Sequence, residues 1–244
     1  MGQERICCVH STEAIQYAAA YLHKWGFDVT SFPDTSTTHL LLPVPTFPAA
    51  EVFLSDTRTK LSTDLQISGG NLGDRLSKYQ VVDFLKDPYY LAENAAITAR
   101  CAIEIVEKQK GASLLGCPVL IIGWGRIGKC LSYFLYSIGA TVTVAARKDT
   151  DRAMIRALGF RDTSIEDVAT QLKQYPVILN TVPVMVLPDM ETRPDAIILE
   201  LASQPGMSGA NIIDARGLPN KMAPEASGKL IAETFIRLSL GKEV

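Results

Sequence analysis

The chain has 244 residues, 47% of them hydrophobic, and its 24 Lys and Arg nearly balance its 26 Asp and Glu at a formal net charge of −2. That length holds one or two domains with a sizeable core, and the charge balance provides no basic surplus for nucleic acid or an anionic membrane surface. No run reaches the roughly 18 apolar residues of a membrane span. Glu4 and Arg5 interrupt the N-terminus before an apolar leader forms, and Ile6 stands where a myristoylation signal carries Ser or Thr. The chain therefore reads as a soluble cytoplasmic protein. Its five cysteines, Cys7, Cys8, Cys101, Cys117 and Cys130, have no zinc-ligand spacing and read as small buried hydrophobes in a reducing compartment.

The first third predicts a β-α-β start. Ile6 to Val9 is a short apolar strand, and a helix follows over 12–25 with Ala14, Ala18, Tyr21 and Leu22 on one face. Gly26 ends that helix, Phe27 to Thr30 forms the next strand, and Leu40 to Leu42 a third, closed by Pro43 and Pro45. Residues 46–75 read as loop-rich. A helix is expected over 77–86, broken at Asp87-Pro88, and then a long alanine-rich helix from Leu91 to Lys110.

The second half alternates regularly. Strands are expected at 118–123, 141–146, 177–181, 197–202 and 211–214, and helices at 126–138, 150–157, 164–173 and 224–239, the last started by Pro224. This predicts an α/β protein: a Rossmann-type, doubly wound parallel sheet with a second, smaller α/β domain. The expected boundaries are 1–93 for an N-terminal, substrate-side domain and 94–223 for the dinucleotide-binding domain, with the C-terminal helix 224–244 packing back on the first domain or on a second chain.

Gly123-Trp124-Gly125-Arg126-Ile127-Gly128 is a G-x-G-x-x-G sequence placed directly after the apolar run Val119 to Ile122 and before a helix. That is the context a dinucleotide turn needs: one glycine for the tight turn, one for close approach of the pyrophosphate, one for helix–strand packing, with free N–H groups at the helix start. The alternative is a tight turn without a ligand. About 20 residues on, where an NAD site carries Asp or Glu, the chain reads Ala145-Ala146-Arg147-Lys148. Two cations and no carboxylate indicate NADP rather than NAD, with Arg147 on the 2′-phosphate and Lys148 assisting; a solvated basic loop is the other reading. Asn180-Thr181-Val182-Pro183 and Ala202-Ser203-Gln204-Pro205-Gly206 end two further strands at the same sheet edge, either as walls of the site or as ordinary loops.

Taken together, the 123–128 turn, Ala145-Ala146-Arg147, Asn180-Thr181-Val182-Pro183, Glu200-Leu201-Ala202-Ser203-Gln204-Pro205-Gly206, Gly217-Leu218-Pro219 and Ala223 to Gly228 resemble the family of the dipicolinate synthase A subunit. The resemblance covers 65–244 well and 1–64 loosely. It implies NADP-dependent oxidation of a dihydrodipicolinate-type dicarboxylate to dipicolinate, in the mother cell of a spore-forming bacterium. The implied partners are further copies in a homo-oligomer and a flavoprotein-like B subunit, without nucleic acid or membrane. It places Pro219, with Thr181, Val182, Pro183 and Ala202, at the cofactor, and Ser68, Gly69, Gly70, Asn94, Thr98, Asn180 and Ser203 as substrate-cleft candidates. The chain departs from the family pattern at Arg100-Cys101, where the family has Glu-Gly, at Asn220 and Met207, where it has Gly, and in a shorter N-terminal domain.

No general base stands out. His10, His23 and His39 lack a carboxylate partner in sequence and read as surface or core histidines, with His10 at a strand end. No metal ligand set is present. Three functions stay open: the dipicolinate synthase-like dehydrogenase, another two-domain amino- or keto-acid dehydrogenase, and a non-catalytic NADP-binding subunit of a synthase complex.

Overall fold

The computed structural model describes residues 4–9, 11–46, 64–73, 76 and 79–242. The chain divides into two units, Met1–Asn94 with Pro219–Val244, and Ala95–Leu218. No helix among the described residues is long and apolar enough to cross a membrane.

The first unit holds five parallel strands, β1 (Arg5–Cys8), β2 (Asp28–Thr30), β3 (His39–Leu41), β4 (Gln66–Gly69) and β5 (Gln80–Asp83), in the order β2-β1-β3-β4-β5. This is the flavodoxin-like winding, with its own reversal beside β1. Helix α1 (Glu13–Lys24) starts where the Thr12 hydroxyl accepts from the Ile15 N–H, and buries Ala14, Ile15, Ala18, Ala19 and Leu22. Two expectations fail here. Of the stretch expected to be loop-rich, 47–63 and 74–75 lie outside the described residues, and the described part contains β4, a central strand without alternation because Ile67, Ser68 and Gly69 are all buried. Of the helix expected over 77–86, residues 77 and 78 lie outside the described residues, and the rest holds β5 followed by a 3-10 turn, Phe84–Lys86. Val81 and Val82 pair with Ile67 and Ser68 of β4, and the Asp83 carboxylate then accepts from the Asn71, Leu72 and Leu85 N–H groups. Pairing with an open sheet edge outweighs the weak helical spacing.

Helix α2 (Pro88–Lys110) begins at Asp87, whose carboxylate accepts from the Tyr90 N–H at 2.8 Å. Asp87-Pro88 is thus a cap followed by a first-turn proline, and starts the helix three residues before the expected Leu91.

The second unit is a six-stranded parallel sheet of β6 (Pro118–Ile122), β7 (Thr141–Ala146), β8 (Arg161–Ser164), β9 (Val177–Asn180), β10 (Ile197–Glu200) and β11 (Ile212–Asp214), in the order β11-β10-β9-β6-β7-β8. The doubly wound sheet is therefore present, and its winding reverses between β6 and β9. Helix α3 (Arg126–Ser137) packs beside β6 and β7, and α4 (Asp149–Ala157) beside β7 and β8. Leu120, Ile122, Ala145, Ile178 and Ile198 form one core cluster with Val168, Leu172, Leu187 and Met207. The helix expected over 164–173 is instead the end of β8 and two 3-10 turns, Val168–Thr170 and Leu172–Gln174. Ser164 and Asp167 bond each other reciprocally and Thr170 bonds the Asp167 carbonyl, so side chains compete with the helical ladder.

The short helix α5 (Leu218–Met222) leads into α6 (Pro224–Ser239), which packs on α1 within the first unit. A Cβ at Gly228 would run into the Ala14 carbonyl, Tyr17 and the Ala18 N–H, so the two helices cross at backbone distance. Tyr21 donates to the Glu225 carboxylate at 3.0 Å over the same contact.

Candidate functional site

The site is built where the winding of the second sheet reverses, at the carboxyl ends of β6, β7 and β9. Gly123 leaves β6 with φ +106°, a left-handed value that side chains disfavour, and a Cβ there would lie 2.5 Å from Thr181 Oγ1 and 2.8 Å from Val182. Thr181 in turn donates to the Ile122 carbonyl at 2.9 Å, tying the β9 exit to the β6 exit. A Cβ at Gly128 would overlap the Gly123 carbonyl oxygen, so this glycine sets the closeness of α3 to the turn. Gly125 is the N-cap of α3, faces open space, and contributes no side-chain cap. The first N–H groups of α3 are thus left for an anion.

A cavity of about 430 Å³ opens in front of this turn. Gly123, Trp124 and Gly125 form one end. Ala146, Arg147, Lys148 and Asp151 form the rim beyond β7, and Ile165, Val182, Val184 and Val186 the apolar wall. Arg147 and Lys148 are exposed, and among the described residues neither side chain takes part in a hydrogen bond or ion pair, while the Lys148 carbonyl accepts from the Arg152 N–H as the N-cap of α4. The neighbouring Asp149 is paired with Arg152 instead. Asp151 was not anticipated; it lies in the first turn of α4, four residues beyond Arg147. The Trp124 ring lies edge-on to Phe160, and Lys129 stands 5.7 Å from its centre.

Of the sequence candidates, the structure brings Gly123, Trp124, Gly125, Arg147, Lys148 and Val182 to this cavity, with Arg126, Ile127 and Gly128 in the adjoining first turn of α3 and Thr181 beneath Gly123. Pro183 and Ser203 are exposed and Ala202 is buried, and none of the three lines the cavity. Pro219 belongs to the first unit.

Asn180 is fully buried rather than open to a substrate. Its Nδ2 donates to Glu200 Oε1 at 2.8 Å and to the Val182 carbonyl at 3.1 Å, and its Oδ1 accepts from the Val182 N–H at 3.1 Å. Glu200, which sequence reasoning passed over, also accepts from the Ala202 and Gly206 N–H groups. A carboxylate ending an apolar strand was the available clue.

In the first unit, Ser68 is buried and its hydroxyl bonds Ser239 at 2.8 Å. Gly69 and Gly70 are there for close packing: a Cβ on the first would touch Leu42 and Thr46 at 3.0 Å, and on the second Val44 at 2.5 Å. Asn94 and Thr98 lie on α2. Asn220 donates to the Val44 carbonyl and accepts from Ser227, a role that a glycine lacks.

His10 lies outside the described residues. His23 sits in the last turn of α1, and His39 lies edge-on to Phe235, where burial lowers its pKa. Burial pushes the Cys7 thiol up to about 11 and Cys8 to about 12, so neither is a nucleophile at neutral pH. Arg100 stacks 5.1 Å from the Phe134 ring centre, and Cys101 is buried beside it in α2 with its thiol pushed up by desolvation. Among the described residues no cluster of His, Cys, Asp or Glu suits a metal ion.

No family model matches the chain. The dipicolinate synthase A subunit of Bacillus subtilis (strain 168) is 27% identical over 156 residues, which span 59% of this chain and 52% of that protein. The crystal structure of the dipicolinate synthase A subunit from Bacillus halodurans superposes with a TM-score of 0.83 at 20% identity, covering 97% of both chains. The A chain of dipicolinate synthase from Bacillus subtilis gives 0.78 at 18% identity, covering 99% of this chain and 97% of that one. The structural likeness establishes the fold, and the sequence match makes the chain a homologue of the dipicolinate synthase A subunit.

Proposed function

We propose that the chain is an NADP-dependent dehydrogenase subunit that oxidises a dihydrodipicolinate-type dicarboxylate to dipicolinate. The observation that carries the cofactor reading is the cavity rim. β7 ends in Ala145-Ala146 without a carboxylate, and two exposed cations, Arg147 and Lys148, follow it without a partner among the described residues. A ribose 2′-hydroxyl is served by Asp or Glu at that place, a 2′-phosphate by cations. Of the remaining lining, the helix turn and the apolar wall fit the same group, while the Asp151 carboxylate on the rim is an acceptor suited to a ribose hydroxyl. The uncapped first turn of α3 would hold the pyrophosphate, and Ile165, Val182 and Val184 would face an aromatic base. Gly123 and Gly128 leave no room for side chains that would close this cradle.

When bound, the nicotinamide supplies the hydride acceptor, and aromatisation of a dihydropyridine supplies the driving force. The protein's task is then mainly to position the ring and exclude water, which is compatible with a cavity lining that contains no histidine or cysteine among the described residues. The substrate, self-association and pairing with a flavoprotein-like B subunit belong to the proposal, because they come from the family resemblance. The stacking of Arg100 on Phe134 favours a second reading. The position that carries Glu in the resemblance is an exposed cation lying over an aromatic ring, as suits a non-catalytic NADP-binding subunit.

Titration of the wild type and Arg147→Ala with NADPH and NADH tests the cofactor reading. The wild type is expected to prefer NADPH at least tenfold. Arg147→Ala loses about 1.5–3 kcal/mol of NADPH binding, the range for a hydrogen bond to a charged group, with little change for NADH. Equal affinities in both proteins overturn it. Coupling the protein and NADP to a dihydrodipicolinate-generating synthase, with and without a B subunit, tests turnover by dipicolinate absorbance. Tight NADPH binding without product selects the second reading.

A further inference from the structure

We infer that Glu200 and Asn180 are positioning residues of the dinucleotide cavity, a buried carboxylate–amide pair that holds the 182–186 wall in place. The inference rests on the dinucleotide reading of that cavity. Glu200 closes the otherwise apolar β10 and is only 4% exposed. A carboxylate withdrawn from water needs N–H donors, and three converge on it. Asn180 Nδ2 at 2.8 Å and the Ala202 N–H at 3.1 Å reach Oε1, and the Gly206 N–H at 2.8 Å reaches Oε2. Asn180 and Glu200 are register partners across the β9–β10 pair, so the bond between them crosses from one strand exit to the next.

Each partner also grips its own exit. Asn180 bonds both the N–H and the carbonyl of Val182, fixing the first residue of the wall. Glu200 fixes both ends of the 202–206 turn. That turn in turn carries the far end of the wall, because the Gly206 carbonyl accepts from Val186 and Leu187 at 2.8 and 3.2 Å. Gly206 has no space for a Cβ, which would overlap the Val182 carbonyl and the Asn180 amide. Val184, midway along the wall, is 61% exposed, so core packing does not hold it. Its position follows from the two anchored ends. The pair requires an acceptor-only group at 200: a glutamine would turn an N–H toward a donor that already points there.

The test uses the full-length protein carrying Glu200→Gln, and Val106→Ala as a control. Val106 is a fully buried residue of α2 in the same unit that does not line the cavity. Amide hydrogen exchange without dinucleotide and NADPH affinity are both read, at conditions where the two variants have matched thermal midpoints. Glu200→Gln is expected to exchange at least tenfold faster over 181–187 and 201–208 and to bind NADPH at least fivefold more weakly. Val106→Ala is expected to stay within twofold of the wild type in both. Unchanged exchange and affinity in Glu200→Gln, or the same changes in Val106→Ala, overturn the positioning role. A wild type that binds neither NADPH nor NADH overturns the dinucleotide reading itself, and the inference with it. Should Glu200→Gln fail to fold, Asn180→Ser, which leaves both backbone donors to Glu200 intact, carries the same expectations and the same overturning results.

Discussion

Gly128 shows how much one missing methyl group decides at the residue scale. Alanine is about 1 kcal/mol better than glycine inside a helix, yet here it would meet the Gly123 carbonyl oxygen, a backbone atom in a turn already held by Thr181. Overpacking of about 1–3 kcal/mol outweighs the propensity gain. Gly128→Ala is therefore expected to lower the thermal midpoint and to weaken NADPH binding tenfold or more, as read by a thermal melt and a fluorescence titration. The role of this glycine was legible in the sequence, because the G-x-G-x-x-G spacing after an apolar strand carries its own steric logic. The roles of Asn180 and Ser68 were not. Both looked like free polar groups at strand ends, and both are buried and bonded to residues 20 and 171 positions away. Hydrogen bonds at such separations leave no local trace.

At the element scale, α2 is tied at its start. Asp87 caps it, and Arg237 of α6 bonds the same carboxylate at 2.5 Å while lying over the Tyr89 ring. Burial pushes the Asp87 carboxyl up, but the Arg237 guanidinium and the Tyr90 and Tyr89 N–H groups outweigh it and hold the pKa below the usual value. A carboxyl whose folded pKa is depressed stabilises the fold above its unfolded value of about 3.9. That contribution is lost as the pH falls through the lower folded value. Asp87→Ala is expected to cost about 1 kcal/mol near neutrality, the usual worth of a cap. In urea titrations, the difference from wild type should then shrink steadily below about pH 4. The elements missed from sequence share one cause. β4, β5 and β8 carry at most two apolar residues each, too few to read as an apolar run, and each is a strand because a partner edge is present.

At the scale of the molecule, the chain returns from the second unit to finish the first. α6 lies on α1, and Gly228 is the point of closest approach. The Cβ of Gly228→Ala would press on the backbone of α1, so overpacking of about 1–3 kcal/mol is expected to exceed the helix-propensity gain. Two units with separate cores should give two calorimetric transitions. Gly228→Ala is expected to lower the transition of the first unit alone. NADPH at 100 times its dissociation constant should stabilise the second by about 2.7 kcal/mol. A single transition shifted by both changes would contradict this division.

The sequence by itself determined the fold class, the strands of the second sheet that flank the glycine turn, the turn and its basic follow-on, and the likeness to one family. These are local signals: apolar runs of strand length, glycines at fixed offsets, and side chains read within a few residues of one another. Only the tertiary structure decided that Asn180 faces Glu200 rather than a ligand, that Asp151 shares the cavity rim, and that 80–83 and 161–164 are strands. Each of these depends on a group brought from another element, and neither the partner edge of a sheet nor the donor that meets a buried carboxylate is written in the segment it completes.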